Sequence, residues 1–247
     1  LDLEKKRMNL GRYFSPGLAE RLVADERMTG LGGQRKMVSI VFADVSDFTS
    51  LVEKHAVEDV VEVLNRFFET VVPIIFRHGG MLDKFLGDGV MAVFGIPDPD
   101  DADPVRAIEC AVDIQKGMET LKAQLEKDGL FPIDVGAGIA TGVVLAGNIG
   151  TKNQMNYTVI GEPVNLAQRL ESISRPGEII VSNITTEMIP VGSEISVSFE
   201  PMGTIRVKGI ERDVSPMKVI YRSSGSVQPE KRSGRDHRPG LCGDTEP

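Results

Sequence analysis

The chain has 247 residues, of which 41% are hydrophobic, and this is enough to bury one sizeable core. Its formal net charge of -8 excludes a non-specific nucleic-acid binder, which would need a basic face. Any phosphate that the protein handles must therefore meet a few placed cations. The sequence has no apolar run of the roughly 18–20 residues that a membrane span needs, so we expect no membrane contact. Two cysteines, Cys110 and Cys242, indicate no disulfide framework and suit a reducing, cytoplasmic compartment.

Composition divides the chain into three zones. Residues 1–36 are charged and helix-favouring, and they predict a helical connector. Because the sequence begins with Leu1 and not with Met, we expect an upstream module before this connector. Residues 37–221 predict one globular domain. Residues 222–247 are rich in Ser, Gly, Pro and Arg with almost nothing to bury, so we expect a disordered polar tail.

The predicted elements of the domain alternate between strands and helices. An apolar run predicts the first strand, which ends at Asp44. A Gly-Asp-Gly turn at 87–89, between two apolar stretches, predicts a β-hairpin. The order β-α-β-β-α-β predicts an α+β fold with a ferredoxin-like sheet and helices on one face. The predicted segments are strand 37–43, helix 57–77, strands 81–86 and 89–94, helix 104–126, a strand pair in 133–150, helix 163–173 and several strands up to residue 221.

Two aspartates lie at strand ends, where α/β sheets often bind ligands. Asp44 follows the first strand, and Asp88 lies in the hairpin turn. Each has an ordinary alternative: Asp44 could cap the segment from Ser46 to Thr49, and Asp88 could serve only the turn. Two such carboxylates close together would repel each other unless a cation lies between them. A divalent metal ion with a phosphate substrate is the usual solution.

The segment GEPVNLAQRLE, residues 161–171, predicts a helix with a polar stripe. Pro163 suits a first helical turn, and Asn165 and Arg169 share one face because they lie four residues apart. An amide and a guanidinium on one face could grip a ribose and a triphosphate, although a solvated helix surface is the alternative. Lys208 in RVKGIE is a weaker candidate, because a Lys before Gly in a turn usually faces solvent.

Four blocks in order resemble the catalytic domain of class III nucleotide cyclases: FADVSDFT (42–49), KFLGDGVMAVFG (84–95), GIATGVVLAGNIG (138–150) and YTVIGEPVNLAQRLE (157–171). The resemblance covers about residues 36–221. It implies an adenylyl cyclase that converts ATP to 3′,5′-cyclic AMP and pyrophosphate. The ribose 3′-hydroxyl would attack the α-phosphate with the help of two Mg²⁺ ions per site, for which Mn²⁺ can substitute.

The resemblance implies a role in metal binding, substrate binding or catalysis for each candidate residue. The matches are Asp44, Asp88 and the Val45 carbonyl for the metals, Lys84 and Thr158 for the purine, Asn165 for the ribose, Arg169 for the transition state and Lys208, on a short motif, for the terminal phosphates. Thr158 departs from many animal-type members, which carry Asp there. Thr is similar to a subclass found in bacteria and in soluble, bicarbonate-responsive cyclases, and its hydroxyl can still accept from the adenine amino group.

In cyclases of this class the pocket lies between two catalytic domains. One domain supplies the metal ligands, and the other supplies the groups that bind the base, the ribose and the transition state. Because this chain has all of these residues, the resemblance implies a head-to-tail homodimer with two sites. Lys84 and Asp88 of KFLGDG would then serve two different sites instead of pairing with each other. NLGRYFSPGLAERL, residues 9–22, looks like the segment that joins upstream sensor modules to bacterial cyclases.

Two alternatives stay open beside adenylyl cyclase. Guanylyl cyclases place Glu where Lys84 stands and often Cys or Ser where Thr158 stands, and a Lys suits the adenine N1 acceptor better. A catalytically silent cyclase-like domain for dimerisation or nucleotide sensing usually loses a metal Asp or the Arg, and neither is missing here. Diguanylate cyclases share the sheet order, but their Gly-Gly-(Asp/Glu)-Glu-Phe hairpin is absent from the sequence.

Overall fold

The structure is a computed structural model that describes residues 31–151, 154–206 and 213–222. Its centre is one mixed sheet of eight strands. The strands are β1 (Gly32–Val45), β2 (Met81–Leu86), β3 (Gly89–Phe94), β4 (Val135–Thr151), β5 (Gln154–Ile160), β6 (Ile179–Val181), β7 (Ser198–Pro201) and β8 (Met217–Ile220). They lie in the order β2-β3-β1-β4-β6-β8-β7, and β5 pairs with the second half of β4.

Five helices accompany the sheet in the described part of the chain. They are α1 (Phe48–Lys54), α2 (Val57–Arg77), α3 (Asp103–Lys127), α4 (Glu162–Ser172) and α5 (Asn183–Glu187). In α2, Val60, Val63, Phe67 and Val71 are buried at spacings of three or four residues, so one face of the helix lies in the core. None of these helices is long and apolar enough to cross a membrane.

The central strand β1 is buried on both sides, because the sheet is covered on both faces. Val41 and Ala43 belong to the core cluster that α2 and α3 share, whereas Ile40 and Phe42 belong to the cluster that contains α4. Alternate residues of a strand point to opposite faces, so the continuous apolar run in β1 is what this position requires.

The β-α-β-β-α-β core is confirmed, with β1, α2, β2, β3, α3 and β4 in chain order. Strands β2, β3, β1 and β4 are neighbours in that order and pair antiparallel, which is the ferredoxin-like arrangement. Helices α2 and α3 pack on one face, as predicted. The later helix α4 packs on the opposite face, and this places the polar residues of 161–171 on the other side of the sheet.

The structure corrects two expected boundaries. The sheet begins at Gly32, which pairs with Asn148, so residues 32–36 belong to β1 and not to the expected connector 1–36. Their polar, exposed side chains explain the misreading. The expected strand pair in 133–150 is one continuous strand, β4, of 17 residues. Residues 1–30 of the expected connector, residues 223–247 of the expected tail, and Lys208 lie outside the described residues.

Close contact between α4 and the sheet depends on Gly138 in β4. A Cβ atom at this position would lie 2.1 Å from the backbone nitrogen of Glu171 and 2.3 Å from the carbonyl oxygen of Ala167. Both are backbone atoms of α4, so they could yield only if the helix moved. The absence of a side chain therefore fixes the distance between this helix and β4.

We expect Gly138→Ala to destabilise the protein by about 1–3 kcal/mol, because overpacking would push α4 away from β4. Urea unfolding followed by circular dichroism measures this change. Gly117→Ala in α3 is the matched control, since its Cβ would meet only the flexible ends of Ile74 and Thr70 at 3.1 Å. Equal stability of the two variants would contradict the close approach of α4.

Candidate active site

Asp44 and Asp88 come together because β1 pairs with β3. Asp44 lies opposite Gly89, the first residue of β3, and Asp88 is in the turn just before it. The backbone N–H of Val45 donates to the Asp88 carbonyl oxygen at 3.3 Å and to Asp44 Oδ1 at 3.1 Å. A Cβ at Gly89 would lie 2.5 Å from Asp44 Oδ1, so this site needs glycine there. The Val45 peptide thus links the two aspartates.

The capping alternative for Asp44 is excluded by its position. Helix α1 begins at Phe48 with Asp47 before it, and no side chain caps its first turn. Asp44 instead lies within β1 on the face that carries Phe42, opposite Gly136 of β4. Its carboxylate therefore faces the side of the sheet on which α4 packs.

The surroundings of this site disfavour the ionised forms of its carboxyl groups. Burial, with repulsion from Asp88, raises the pKa of Asp44 to about 6. Burial also raises the pKa of Asp88. Burial, and then the charges of Asp44 and Asp88, also raise the pKa of Glu171 on α4 to about 7. The charges of these three carboxyl groups thus influence one another in a partly desolvated region that favours a bound cation.

The donors suit a hard divalent cation, since carboxylate oxygens are the preferred ligands of Mg²⁺. The described residues contain no group of three or more His, Cys, Asp or Glu side chains arranged to hold a metal ion. An ion on Asp44 and Asp88 would therefore complete its shell with backbone oxygens, such as the Val45 carbonyl, or with phosphate oxygens and water. This is the usual state of Mg²⁺ at nucleotide sites.

A second polar cluster joins β2 to β5. Lys84 Nζ donates to the Thr158 hydroxyl at 3.2 Å, so the two predicted purine-binding residues are in contact. Asp83, which the sequence analysis did not single out, accepts from the Thr158 hydroxyl at 2.9 Å and forms an ion pair with Lys84 at 3.1 Å. The side chain of Asp83 is 0% exposed and that of Lys84 is 43% exposed. Lys84 can therefore reach a ligand, whereas Asp83 cannot.

The third group of candidates lies along α4. Leu166, Ala167 and Leu170 are buried, whereas Asn165 and Arg169 are exposed one turn apart. The prediction that Asn165 and Arg169 share one face of the helix is confirmed. Arg169 is exposed, so its guanidinium can reach a ligand or a partner. The helix therefore has one packed face and one polar face.

Asp83 and Glu171 are the two polar residues that the sequence analysis missed. An acidic residue beside Lys84 in an apolar strand was one available signal for Asp83. Glu171 stands two residues after Arg169 in YTVIGEPVNLAQRLE, but nothing local indicated that the charges of the aspartates act on it. The contact of each residue depends on tertiary structure.

A family model described as the adenylate and guanylate cyclase catalytic domain matches residues 33–221, and the chain belongs to this family. The crystal structure of the adenylyl cyclase CyaB from P. aeruginosa is 36% identical with a TM-score of 0.72, and the match covers 78% of this chain and 98% of that one. The guanylyl cyclase Cya2 is 35% identical with a TM-score of 0.72, covering 79% and 97%.

A longer relative is also similar. An uncharacterized protein of Mycobacterium tuberculosis (strain H37Rv) is 36% identical over 183 residues, which are 72% of this chain and 32% of that protein. The chain thus spans about a third of the length of this curated relative. The comparisons identify a nucleotide cyclase domain, and they include both purine specificities.

We expect Asp44→Asn to raise the melting temperature of the metal-free protein by about 2–4 °C at pH 8. Above pH 6 the folded protein must keep Asp44 ionised against burial and Asp88, and the amide removes this cost. As the pH falls from about 6 towards the ordinary value of 3.8, wild-type Asp44 takes up a proton, and the advantage of the variant disappears.

Thermal unfolding at pH 8 and pH 4, with and without Mg²⁺, measures this effect. Mg²⁺ should stabilise the wild type more than the variant, because the variant lacks one of the two carboxylates. Glu69→Gln, on the exposed surface in the middle of α2, is the control and should change neither result. A gain for Asp44→Asn that persisted at pH 4 would show that charge is not its cause.

Proposed function

We propose that the chain is an adenylyl cyclase, which converts ATP to 3′,5′-cyclic AMP and pyrophosphate. The observation that carries the proposal is the contact between Lys84 and the Thr158 hydroxyl at 3.2 Å. It places the N–H donor of the exposed Lys84 beside the hydroxyl oxygen of Thr158, a residue that is 7% exposed. The edge of adenine offers the complementary pair, the N1 acceptor beside the N6 amino donor.

Asp44, Asp88 and the Val45 carbonyl would hold two Mg²⁺ or Mn²⁺ ions. Bound there, the ions would supply Lewis-acid activation of the ribose 3′-hydroxyl and neutralise charge on the phosphates. The two aspartates would hold the ions in place. The burial that raises the pKa values of the aspartates also strengthens their attraction for a cation. The fit between residues and ions rests on this accumulated negative charge.

The remaining residues act on the substrate. Asn165 would orient the ribose, Arg169 would donate to the oxygens of the α-phosphate, and Lys208 would bind the terminal phosphates. The new bond joins the ribose 3′-oxygen to the α-phosphorus, and the 3′-hydroxyl proton is released to solvent. The bond from that phosphorus to the pyrophosphate oxygen breaks, and pyrophosphate leaves. Charge grows on the phosphate oxygens during this displacement, so a fixed guanidinium lowers the barrier; loss of such a donor typically costs about 10²–10³ in rate.

We also propose that each active site is shared between two copies of the chain. The charges of Asp44 and Asp88 in the same chain raise the pKa of Glu171, and Arg169 lies two positions before Glu171 on α4. Two positions correspond to about 200° of rotation around a helix, so Arg169 points away from these aspartates. An Arg169 that acts on a phosphate beside Asp44 would therefore come from a second chain, as in a head-to-tail homodimer.

An exposed apolar surface supports this dimer. Val143 and Leu145 of β4 and Ile160 of β5 are exposed, and Leu145 and Ile160 are directly paired across the two strands. Exposed apolar residues grouped in this way commonly mark a protein interface. The match to only part of a longer relative also supports a sensor module elsewhere in the parent protein.

Guanylyl cyclase is the second candidate, since a guanylyl cyclase structure is as similar to this chain as an adenylyl cyclase structure. Lys84 decides between them in our proposal. Guanine presents an N1–H donor where adenine presents an acceptor, and an ammonium group cannot accept. A silent cyclase-like domain would be recognised by the absence of turnover.

Cyclic nucleotide formation from ATP and GTP with Mn²⁺ tests the proposal, and Lys84→Glu tests its base selection. The substitution should lower kcat/KM for ATP by about 10- to 100-fold, because it replaces a charged donor with an acceptor. The loss for GTP should be smaller. Lys127→Glu, at an exposed site on α3, is the charge-matched control. Equal losses for both nucleotides would indicate a structural role for Lys84.

Mixing two inactive variants tests the shared site. Asp44→Ala and Arg169→Ala homodimers should each be nearly inactive. Their heterodimer would have one site with both lesions and one site with none, as two-fold symmetry requires. Random exchange makes about half of the dimers mixed, so activity should return to about a quarter of the wild-type value. Purified heterodimers from differently tagged, co-expressed chains that stay inactive would contradict the shared site.

A further inference from the structure

We propose that Asp83 is a positioning residue that selects adenine over guanine, because it holds the Thr158 hydroxyl as an acceptor towards the nucleotide. The inference rests on the proposed roles of Lys84 and Thr158 in base recognition. It concerns a residue that does not touch the substrate. Three observations carry it: a strand irregularity, a hydrogen bond and complete burial.

The irregularity explains how Asp83 and Lys84 reach the same partner. Neighbouring residues in a regular strand point to opposite faces of the sheet. In β2 the register with β3 shifts here, because Leu82 pairs with Ala92 and Lys84 with Met91. Asp83 is therefore the extra residue of a β-bulge, a feature that re-aims side chains and is common beside active sites.

The hydrogen bonds then determine that the Thr158 hydroxyl can only accept, and not donate, towards the nucleotide. A hydroxyl has one hydrogen to donate and two lone pairs to accept with. Its hydrogen goes to Asp83 Oδ2 at 2.9 Å, and one lone pair receives Lys84 Nζ at 3.2 Å. One lone pair is left. Thr158 can thus accept from the amino group of adenine, whereas the O6 atom of guanine would face a second acceptor.

Asp83 fixes Lys84 at the same time. The ammonium group has three N–H donors, and the contacts to Asp83 and Thr158 use two of them. The third donor is directed by the other two and suits the adenine N1 acceptor. Guanine carries a hydrogen on N1, so its N1–H donor would face the N–H donor of Lys84. The cluster therefore opposes guanine at two neighbouring atoms.

Complete burial makes Asp83 a positioning residue and not a substrate ligand. Its side chain is 0% exposed, and its Oδ1 atom is enclosed without a hydrogen-bond partner among the described residues. Burial raises the pKa of Asp83, and the Lys84 charge and the Thr158 hydroxyl oppose this rise. A carboxylate held in this way can influence a nucleotide only through its two neighbours.

Asp83→Leu tests the inference, because leucine keeps the branched shape and removes the acceptor. The Thr158 hydroxyl could then rotate and donate to guanine O6. We expect the ratio of affinities for ATP over GTP to fall about tenfold. Calorimetry with 3′-deoxy-ATP and 3′-deoxy-GTP measures this ratio without turnover, since both lack the attacking hydroxyl. Asp83→Ala should give the same fall if the leucine proves too large to fold.

Asp83→Asn is the rescue variant, because its amide oxygen can take the place of Oδ2 and accept both hydrogen bonds. It should keep the wild-type ratio within about threefold. In a Thr158→Val background, Asp83→Leu should change the ratio less than it does in the wild type, because only the route through Lys84 is left. Asp59→Leu, at an exposed site, is the control for an added leucine.

The inference is overturned if Asp83→Leu or Asp83→Ala keeps the wild-type ratio, if Asp83→Asn loses as much as Asp83→Leu, or if the effect of Asp83→Leu is undiminished without the Thr158 hydroxyl. Its failure is distinct from failure of the proposed function. If the wild type cyclises ATP and the ratio of affinities for ATP over GTP does not depend on Asp83, only the inference is overturned. A wild type without turnover that shows the Asp83-dependent ratio overturns only the proposed function.

Discussion

Repulsion between Asp44 and Asp88 is the constraint on which the site depends. The pairing of β1 with β3 holds the two carboxylates beside the Val45 peptide, although burial disfavours their charges. The cost is tolerated because β1 is a central strand, buried on both faces, and its apolar side chains cannot leave the core without exposing it. A fixed arrangement of like charges in a partly buried site favours the binding of a cation between them.

Helix α4 connects this constraint to the proposed dimer. Gly138 lets the helix lie close to β4, and this places Glu171 within the field of the aspartates of the same chain. The helical period then turns Arg169 away from them. One close contact thus decides which groups a chain uses for itself and which it would offer to a second copy. The proposed division of the site would follow from packing as much as from the choice of residues.

The hairpin KFLGDG carries two opposite charges that have different partners. Asp88, in the turn, lies beside Asp44, whereas Lys84 lies beside Asp83 and Thr158. The bulge at Asp83 separates these two environments within a few residues of chain. The negative cluster and the proposed base-binding cluster therefore use one short hairpin without neutralising each other. This arrangement allows one small motif to contribute to two neighbouring sites.

The sequence by itself determined the order of core elements, the aspartates at strand ends and the polar face of α4, because local periodicity and turn chemistry encode these features. It did not determine the start of β1 at Gly32 or the continuity of β4, where polar side chains and glycines resemble a linker and a turn. Only the tertiary structure decided the contacts of Asp83 and the electrostatic environment of Glu171. Strand register and helix docking join residues far apart in the chain, and no local pattern specifies such distances.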